Sequence, residues 1–161
     1  MDCSKKLSAG GFPAAKLLFY LVQFTWGLPV NLIGAALWLA LFKGHKHERF
    51  KNAFVTYVPG NMGGISLGLF IFISADKEAG WTSDTRIHEY GHTVQCLILG
   101  PLYLPVILLP SAVWYNFFDG YRKRKHISYY RLFCESQADR LGASWSGMKL
   151  SRTNEKKGEK Q

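Results

Sequence analysis

The chain has 161 residues, of which 48% are hydrophobic, 15% aromatic and 19% charged. This length is that of one domain, and intrinsic disorder is excluded for most of it because disordered chains are poor in apolar and aromatic residues. Three cysteines, Cys3, Cys96 and Cys134, are too few and too scattered for a disulfide scaffold. The net charge of +9 fits nucleic acid or an anionic membrane surface as a partner. Long uncharged apolar runs favour the lipid bilayer over nucleic acid.

The first apolar run follows an N-terminal segment of residues 1–16. Residues 17–42 contain no formal charge, and about 20 predominantly apolar residues suffice to cross a bilayer. Gly27 and Pro29 lie at the centre of this run, where proline removes a helical hydrogen bond. The run is therefore predicted to be transmembrane, either as one kinked span or as two half-helices in a re-entrant hairpin.

Residues 43–82 are predicted to form a β-hairpin region. Within it, residues 54–58 and 64–74 flank the turn-rich sequence PGNMG. Alternation with a period of two around a Pro-Gly-Asn turn is typical of a hairpin. A second membrane span over 64–74 is the alternative.

Residues 83–147 are predicted to be the functional core. A helix is expected over 83–99, with Ser83 as its N-cap and Gly100 at its end. The apolar run then resumes, so that residues 94–118 are predicted to be inserted in the membrane. A second helix over 129–141 should open at Ser128 and stop at Gly142. The last residues, 148–161, are predicted to be a disordered basic tail.

The sequence HEYGH in the first of these helices carries the chemistry. His88 and His92 are four residues apart, so both imidazole rings lie on one helix face and can reach a single ion. Glu89 is rotated by about 100° around the helix axis and can flank the ion without binding it. A bound Zn²⁺ lowers the pKa of water from 15.7 to about 7, and Glu89 can then accept the proton as general base.

A hydrolytic zinc site of this type needs a carboxylate as third ligand. Glu135 begins the sequence ESQAD, in which Asp139 lies one turn further on the same helix face. Asp139 could hold the outer nitrogen of a zinc-bound histidine. Asp119, in the sequence NFFDG, is the competing carboxylate.

The motifs HEYGH and ESQAD resemble those of the gluzincin zinc metallopeptidases, HExxH followed by ExxxD. The alanine before the aspartate is most similar to their membrane-embedded branch, the CAAX-prenyl protease and heat-shock membrane peptidase type. The resemblance implies that His88, His92 and Glu135 bind zinc, that Glu89 is the general base, and that Asp139 supports a ligand. The NFFDG sequence has a fainter similarity to site-2 proteases, in which Asp119 would replace Glu135.

If Glu135 joins the two histidines, residues 93–134 must leave and return on one side of the bilayer. The run 94–118 must then fold back at Gly100–Pro101 or lie in the membrane without crossing it. Together these features predict a mostly α membrane protein with a small β-hairpin and a zincin-like two-helix metal site. The expected function is that of an integral membrane zinc metallopeptidase with its active site at the cytoplasmic face. Its expected partners are the bilayer and a peptide or membrane-protein substrate. The alternative function is that of a non-catalytic membrane adaptor in which zinc has a structural role.

Overall fold

The computed structural model describes residues 13–151. The predicted tail from residue 152 onward, Cys3, and the N-terminal segment up to residue 12 lie outside the described residues. Within them the helices and strands are, in chain order, α1 (Pro13–Thr25), α2 (Leu28–Ala40), β1 (Lys46–Phe50), β2 (Ala53–Val58), β3 (Gly64–Leu67), β4 (Phe70–Ser74), α3 (Ala79–Leu99), α4 (Leu109–Phe117), α5 (Asp119–Arg124) and α6 (Phe133–Ser146). Short 3-10 turns occur at Gly100–Leu102 and Tyr129–Arg131, and a π-helical segment at Leu104–Leu108.

The four strands form one sheet in the order β1-β2-β4-β3. β1 and β3 pair antiparallel with β2 and β4 respectively, and β2 pairs with β4 in parallel, with Val55 opposite Ile71. Residues 64–74 therefore form two strands around a turn at Gly68 rather than one. The prediction that residues 54–58 and 64–74 form a hairpin is wrong, because parallel strands cannot be joined by a tight turn.

Both faces of β4 are buried, which explains its nearly continuous apolar sequence. Ile71 and Ile73 belong to a core cluster that includes Ile87 and Val94 of α3. Phe72 belongs to a second cluster, which includes residues of α2 and of the segment after α3. Because successive side chains of a strand point to opposite faces, α3 covers one face of the sheet and α2 the other.

Two buried amide side chains fix α1 and α2 against the rest of the protein. Gln23 donates a hydrogen bond from Nε2 to the Thr93 carbonyl oxygen of α3 at 3.0 Å. Asn31 donates to Gln23 Oε1 at 2.8 Å, and its own Oδ1 accepts from the Leu69 N–H between β3 and β4 at 2.8 Å. The uncharged run 17–42 therefore holds polar contacts that its composition does not suggest, while its outer face, including Leu18 and Leu32, is exposed.

The predicted membrane architecture is wrong. Among residues 13–151, no single helix is both long enough and apolar enough to cross a membrane. Two pairs of helices reach the required length and hydropathy only when taken together, across a bend of 88° between α1 and α2 and one of 118° between 79–102 and 104–117. The fold is mixed α/β with a four-stranded sheet, not a mostly α membrane protein with a hairpin. The prediction of an integral membrane protein with its active site at the cytoplasmic face is wrong for the same reason: no single helix among the described residues can cross a membrane.

The two helices that carry the motifs differ from their predicted limits. α3 begins at Ala79, four residues before the expected N-cap Ser83, and Glu78 takes the N-cap position. α6 begins at Phe133, after the 3-10 turn, and continues through Gly142 to Ser146. It ends at Gly147, which adopts the left-handed conformation that glycine tolerates.

α3 and α6 cross in close contact at two glycines. A Cβ atom on Gly91 would collide with the backbone carbonyl of Ala138, and one on Gly142 would collide with the carbonyl of Ile87. Gly142 is therefore a contact residue inside α6, which explains why it does not end the helix as predicted. The crossing places the first turns of α6 directly over the HEYGH segment of α3.

We predict that Gly91→Ala lowers the free energy of unfolding by about 1–3 kcal/mol, because a methyl group must separate two backbones in contact. The measurement is urea unfolding followed by circular dichroism. Gly80→Ala is the matched control, since it lies on the same helix with open space around its Cβ position. An alanine there should leave stability unchanged or raise it slightly. Equal stability of the two variants would contradict the close crossing.

Candidate metal centre

The HEYGH segment lies in the middle of α3, and its five residues are all buried. The rings of His88 and His92 face the same side of the helix, with centroids 4.8 Å apart and planes at 89°. This is the arrangement that the spacing of four residues predicts. The buried imidazole nitrogens need polar partners, because an unpaired polar group in the core is costly.

Glu135 supplies that partner from α6, and its side chain is fully buried at 0% exposure. Its Oε2 atom lies 3.0 Å from Nε2 of His88 and 3.6 Å from Nε2 of His92. The ligand atoms of the three residues all lie within 4.8 Å of one another. The structure thus brings together His88 and His92 of HEYGH and Glu135 of ESQAD, and this group could hold a metal ion.

The outer nitrogen of each imidazole is also bonded. Nδ1 of His88 lies 2.7 Å from Oδ1 of Asp139. Nδ1 of His92 lies 2.7 Å from Oε1 of Gln95. Each acceptor holds a proton on Nδ1, so Nε2 is the nitrogen that each ring can offer to an ion. The donor set therefore presents two imidazole nitrogens and one carboxylate oxygen to a common point.

The two separations from Glu135 can be compared with those of a tetrahedral zinc site. Ligand atoms at about 2.1 Å from a tetrahedral zinc ion are about 3.4 Å from one another. The two distances from Glu135 Oε2 lie on either side of that value. Two imidazoles and one carboxylate are also a typical hydrolytic zinc set, whereas calcium and magnesium prefer oxygen ligands alone. Within residues 13–151 this group contributes three ligands.

The charges of the site are strongly coupled. Burial by itself would lower the pKa of His88, but hydrogen bonds to Asp139 and Glu135 and the charge of Glu89 raise it to about 9. Burial would raise the pKa of Glu135, but the hydrogen bond from His88 and the proximity of His92 hold it well below its usual range. Without an ion, the site therefore keeps a proton on His88 opposite an ionised Glu135. A divalent cation would take the place of that proton.

Glu89 lies beside the ligands on the wall of a cavity of about 600 Å³. Its carboxylate packs against Gly64, the first residue of β3, where an added Cβ would collide with it. The close approach of β3 thus sets the position of the Glu89 side chain. Other residues that line this cavity include His88, His92, Tyr103 and Tyr130.

Asp119, the alternative third ligand, is not part of the group that could hold the ion. Its side chain is half exposed, and it forms ion pairs with Arg122 at 3.2 Å and Lys123 at 2.7 Å. Asp119 also lines the cavity, but its carboxylate is paired with the basic residues that follow it in the chain.

Sequence reasoning did not assign a role to Gly64, Gln95 or Tyr130. Gln95 follows His92 by three residues on the same helix face, and that spacing was a usable signal. The ring centroid of Tyr130 lies 5.2 Å from that of His88. Gly64 and Tyr130 come from other elements, so no local pattern could have placed them at the site.

No family model, curated protein or solved structure matches this chain. The similarity to gluzincins therefore stays a prediction from two motifs, and the geometry of the site is what bears on function.

We predict that the metal-free protein loses stability as pH rises from about 6.5 to about 9. The pKa of His88 is raised in the folded state, so its contribution is fully present below 6.5 and is lost as pH rises through 9. The free energy of unfolding should be measured in urea with a chelator present. The control is His88→Gln, in which this part of the pH dependence should disappear. An unchanged pH profile in that variant would contradict the assignment.

Proposed function

We propose that this protein is a zinc metallopeptidase that hydrolyses peptide bonds. The observation that carries the proposal is the convergence of His88, His92 and Glu135 on one point, with Glu89 beside them on the wall of a cavity. A purely structural zinc site uses four protein ligands and is closed to solvent. Here two of the three residues, His88 and His92, line an open cavity together with Glu89, which favours catalysis over a structural staple between α3 and α6.

Zinc would supply a Lewis acid that polarises the substrate carbonyl and acidifies a water molecule. His88, His92 and Glu135 would hold it. Asp139 would keep the ring of His88 in the required tautomer and raise its basicity, as a carboxylate behind a ligand histidine does.

Glu89 would act as general base and then as general acid. It follows His88 directly, so its side chain projects beside the ligands rather than into their set. Its carboxylate is buried at the cavity wall, held by the contact with Gly64. From that position it can accept a proton from the attacking water and deliver it to the leaving amine.

A peptide substrate is supported by the position of β3. Within the described residues, β3 is an edge strand of the sheet, and residues 63–66 line the same cavity as His88, Glu89 and His92. An edge strand can bind an extended peptide as a further strand through its outer backbone groups. On β3 the Ser66 carbonyl oxygen already accepts a hydrogen bond from the Tyr103 hydroxyl at 2.8 Å, so the peptide would pair at the Gly64 end. The peptide bond of such a substrate would pass in front of Glu89.

We predict about one zinc ion per chain in purified protein, measured by mass spectrometry of the metal. His88→Ala, His92→Ala and Glu135→Ala should each lose it, because each removes a ligand. Asp139→Asn should weaken zinc binding by roughly 10–100-fold. Asp119→Asn is the control and should keep the metal. Loss of zinc in that control, with zinc retained in Glu135→Ala, would move the third ligand to Asp119.

We predict that Glu89→Gln keeps zinc and abolishes peptide cleavage, because the amide cannot accept the proton. The measurement is mass-spectrometric detection of cleavage in a broad library of unstructured peptides. Ser144→Ala, on an exposed part of α6 beyond the ligands, is the matched control for expression and purity. A wild type that binds zinc but cleaves no peptide would favour the structural role for the ion.

A further inference from the structure

We infer that Gln95 is a positioning residue that fixes the tautomer of His92 and couples it to the docking of α6. This role of Gln95 rests on the proposed function, since the Nε2 lone pair that it exposes on His92 is the one that would bind the metal. Gln95 is almost fully buried, at 1% exposure. No feature of the HExxH pattern itself requires a glutamine at this position.

The three hydrogen bonds of the Gln95 amide settle its orientation. Nε2 donates to the carbonyl oxygen of Cys134 at 2.9 Å and to Oε1 of Gln137 at 2.8 Å. Oε1 lies 2.7 Å from Nδ1 of His92. A backbone carbonyl can only accept, so a reversed amide would place Oε1 against the oxygen of Cys134. The amide is therefore held with its oxygen toward His92.

The fixed oxygen decides the state of the imidazole. An amide oxygen only accepts, so Nδ1 of His92 must carry a proton to bond with it. A neutral His92 then has its lone pair on Nε2, the atom that lies 3.6 Å from Glu135. Gln95 thus presents this nitrogen to the ion before any metal arrives, which reduces the cost of ordering the ligand.

The same amide ties this tautomer to the position of α6. Cys134 immediately precedes the ligand Glu135, and Gln137 follows it by two residues. The backbone that carries the third ligand is therefore bonded to the side chain that orients the second. A neutral amide does this without adding negative charge to a site that already contains Glu89, Glu135 and Asp139.

Two substitutions separate the orienting role from the docking role. Gln95→Leu has nearly the same size and removes every hydrogen bond of the amide. Gln95→Glu keeps an acceptor toward Nδ1 of His92 but places an anionic oxygen against the carbonyl of Cys134. Gln137→Leu is the matched control, because it leaves the bonds of Gln95 to Cys134 and His92 in place.

The tautomer is measured by nitrogen-15 NMR of the histidine rings in the metal-free protein at pH 8. The wild type should show His92 protonated at Nδ1, as should Gln95→Glu and Gln137→Leu. Gln95→Leu should show a mixture of the two tautomers. A wild-type His92 protonated at Nε2 would overturn the inference without need of any variant, and so would an unchanged tautomer in Gln95→Leu.

Zinc affinity and stability complete the test, by chelator competition with zinc alone and by urea unfolding. Gln95→Leu should bind zinc roughly 10–100-fold more weakly, and Gln95→Glu should recover most of that loss. Both should be less stable than the wild type, because both lose the bond to Cys134. Affinity that falls equally in the two variants would overturn the positioning role. A wild type that binds no zinc but shows the expected tautomers would refute the proposed function and leave the role of Gln95 intact.

Discussion

The contact between α3 and α6 is the constraint on which the rest of the site depends. Two glycines, Gly91 and Gly142, remove the side chains that would keep the helix backbones apart. At that separation, short side chains can bridge the helices: Glu135 reaches both histidines, and Asp139 reaches the outer nitrogen of His88. A wider crossing would move Glu135 away from both imidazoles, so that the three residues could no longer share an ion. The metal group is thus a consequence of helix packing as much as of motif chemistry.

The same contact determines how charge is buried. A fully buried carboxylate is costly unless it is paired and hydrogen-bonded. Glu135 meets this condition through the two imidazoles, and His88 meets it through two carboxylates. In the metal-free protein a proton on His88 balances the charge, and a divalent cation would balance it in the loaded protein. Folding stability, pH and metal binding are therefore linked through one cluster, which makes thermodynamic measurements informative about function.

Composition predicted the wrong architecture for reasons that individual residues explain. The run 17–42 has no charge, but Gln23 and Asn31 lie inside it and bond to α3 and to the β3–β4 turn. The alternation in residues 64–74 correctly indicated β-structure. However, both faces of β4 are buried, and β4 pairs with β2 as well as with β3, its neighbour in the chain. Hydropathy registers how apolar a segment is, whereas these buried amides and the parallel pairing of β2 with β4 depend on distant parts of the chain.

The sequence alone determined the features that a single helix controls. The spacing of His88 and His92 places both on one face of α3, and that of Glu135 and Asp139 does the same on α6, because helical periodicity is local. Tertiary structure decided what lies between the elements. It selected Glu135 over Asp119, brought Gly64 against Glu89, and oriented Gln95 through the carbonyl of Cys134. Those contacts join residues from different elements, and their partners are chosen by how the helices and the sheet pack rather than by any pattern along the chain.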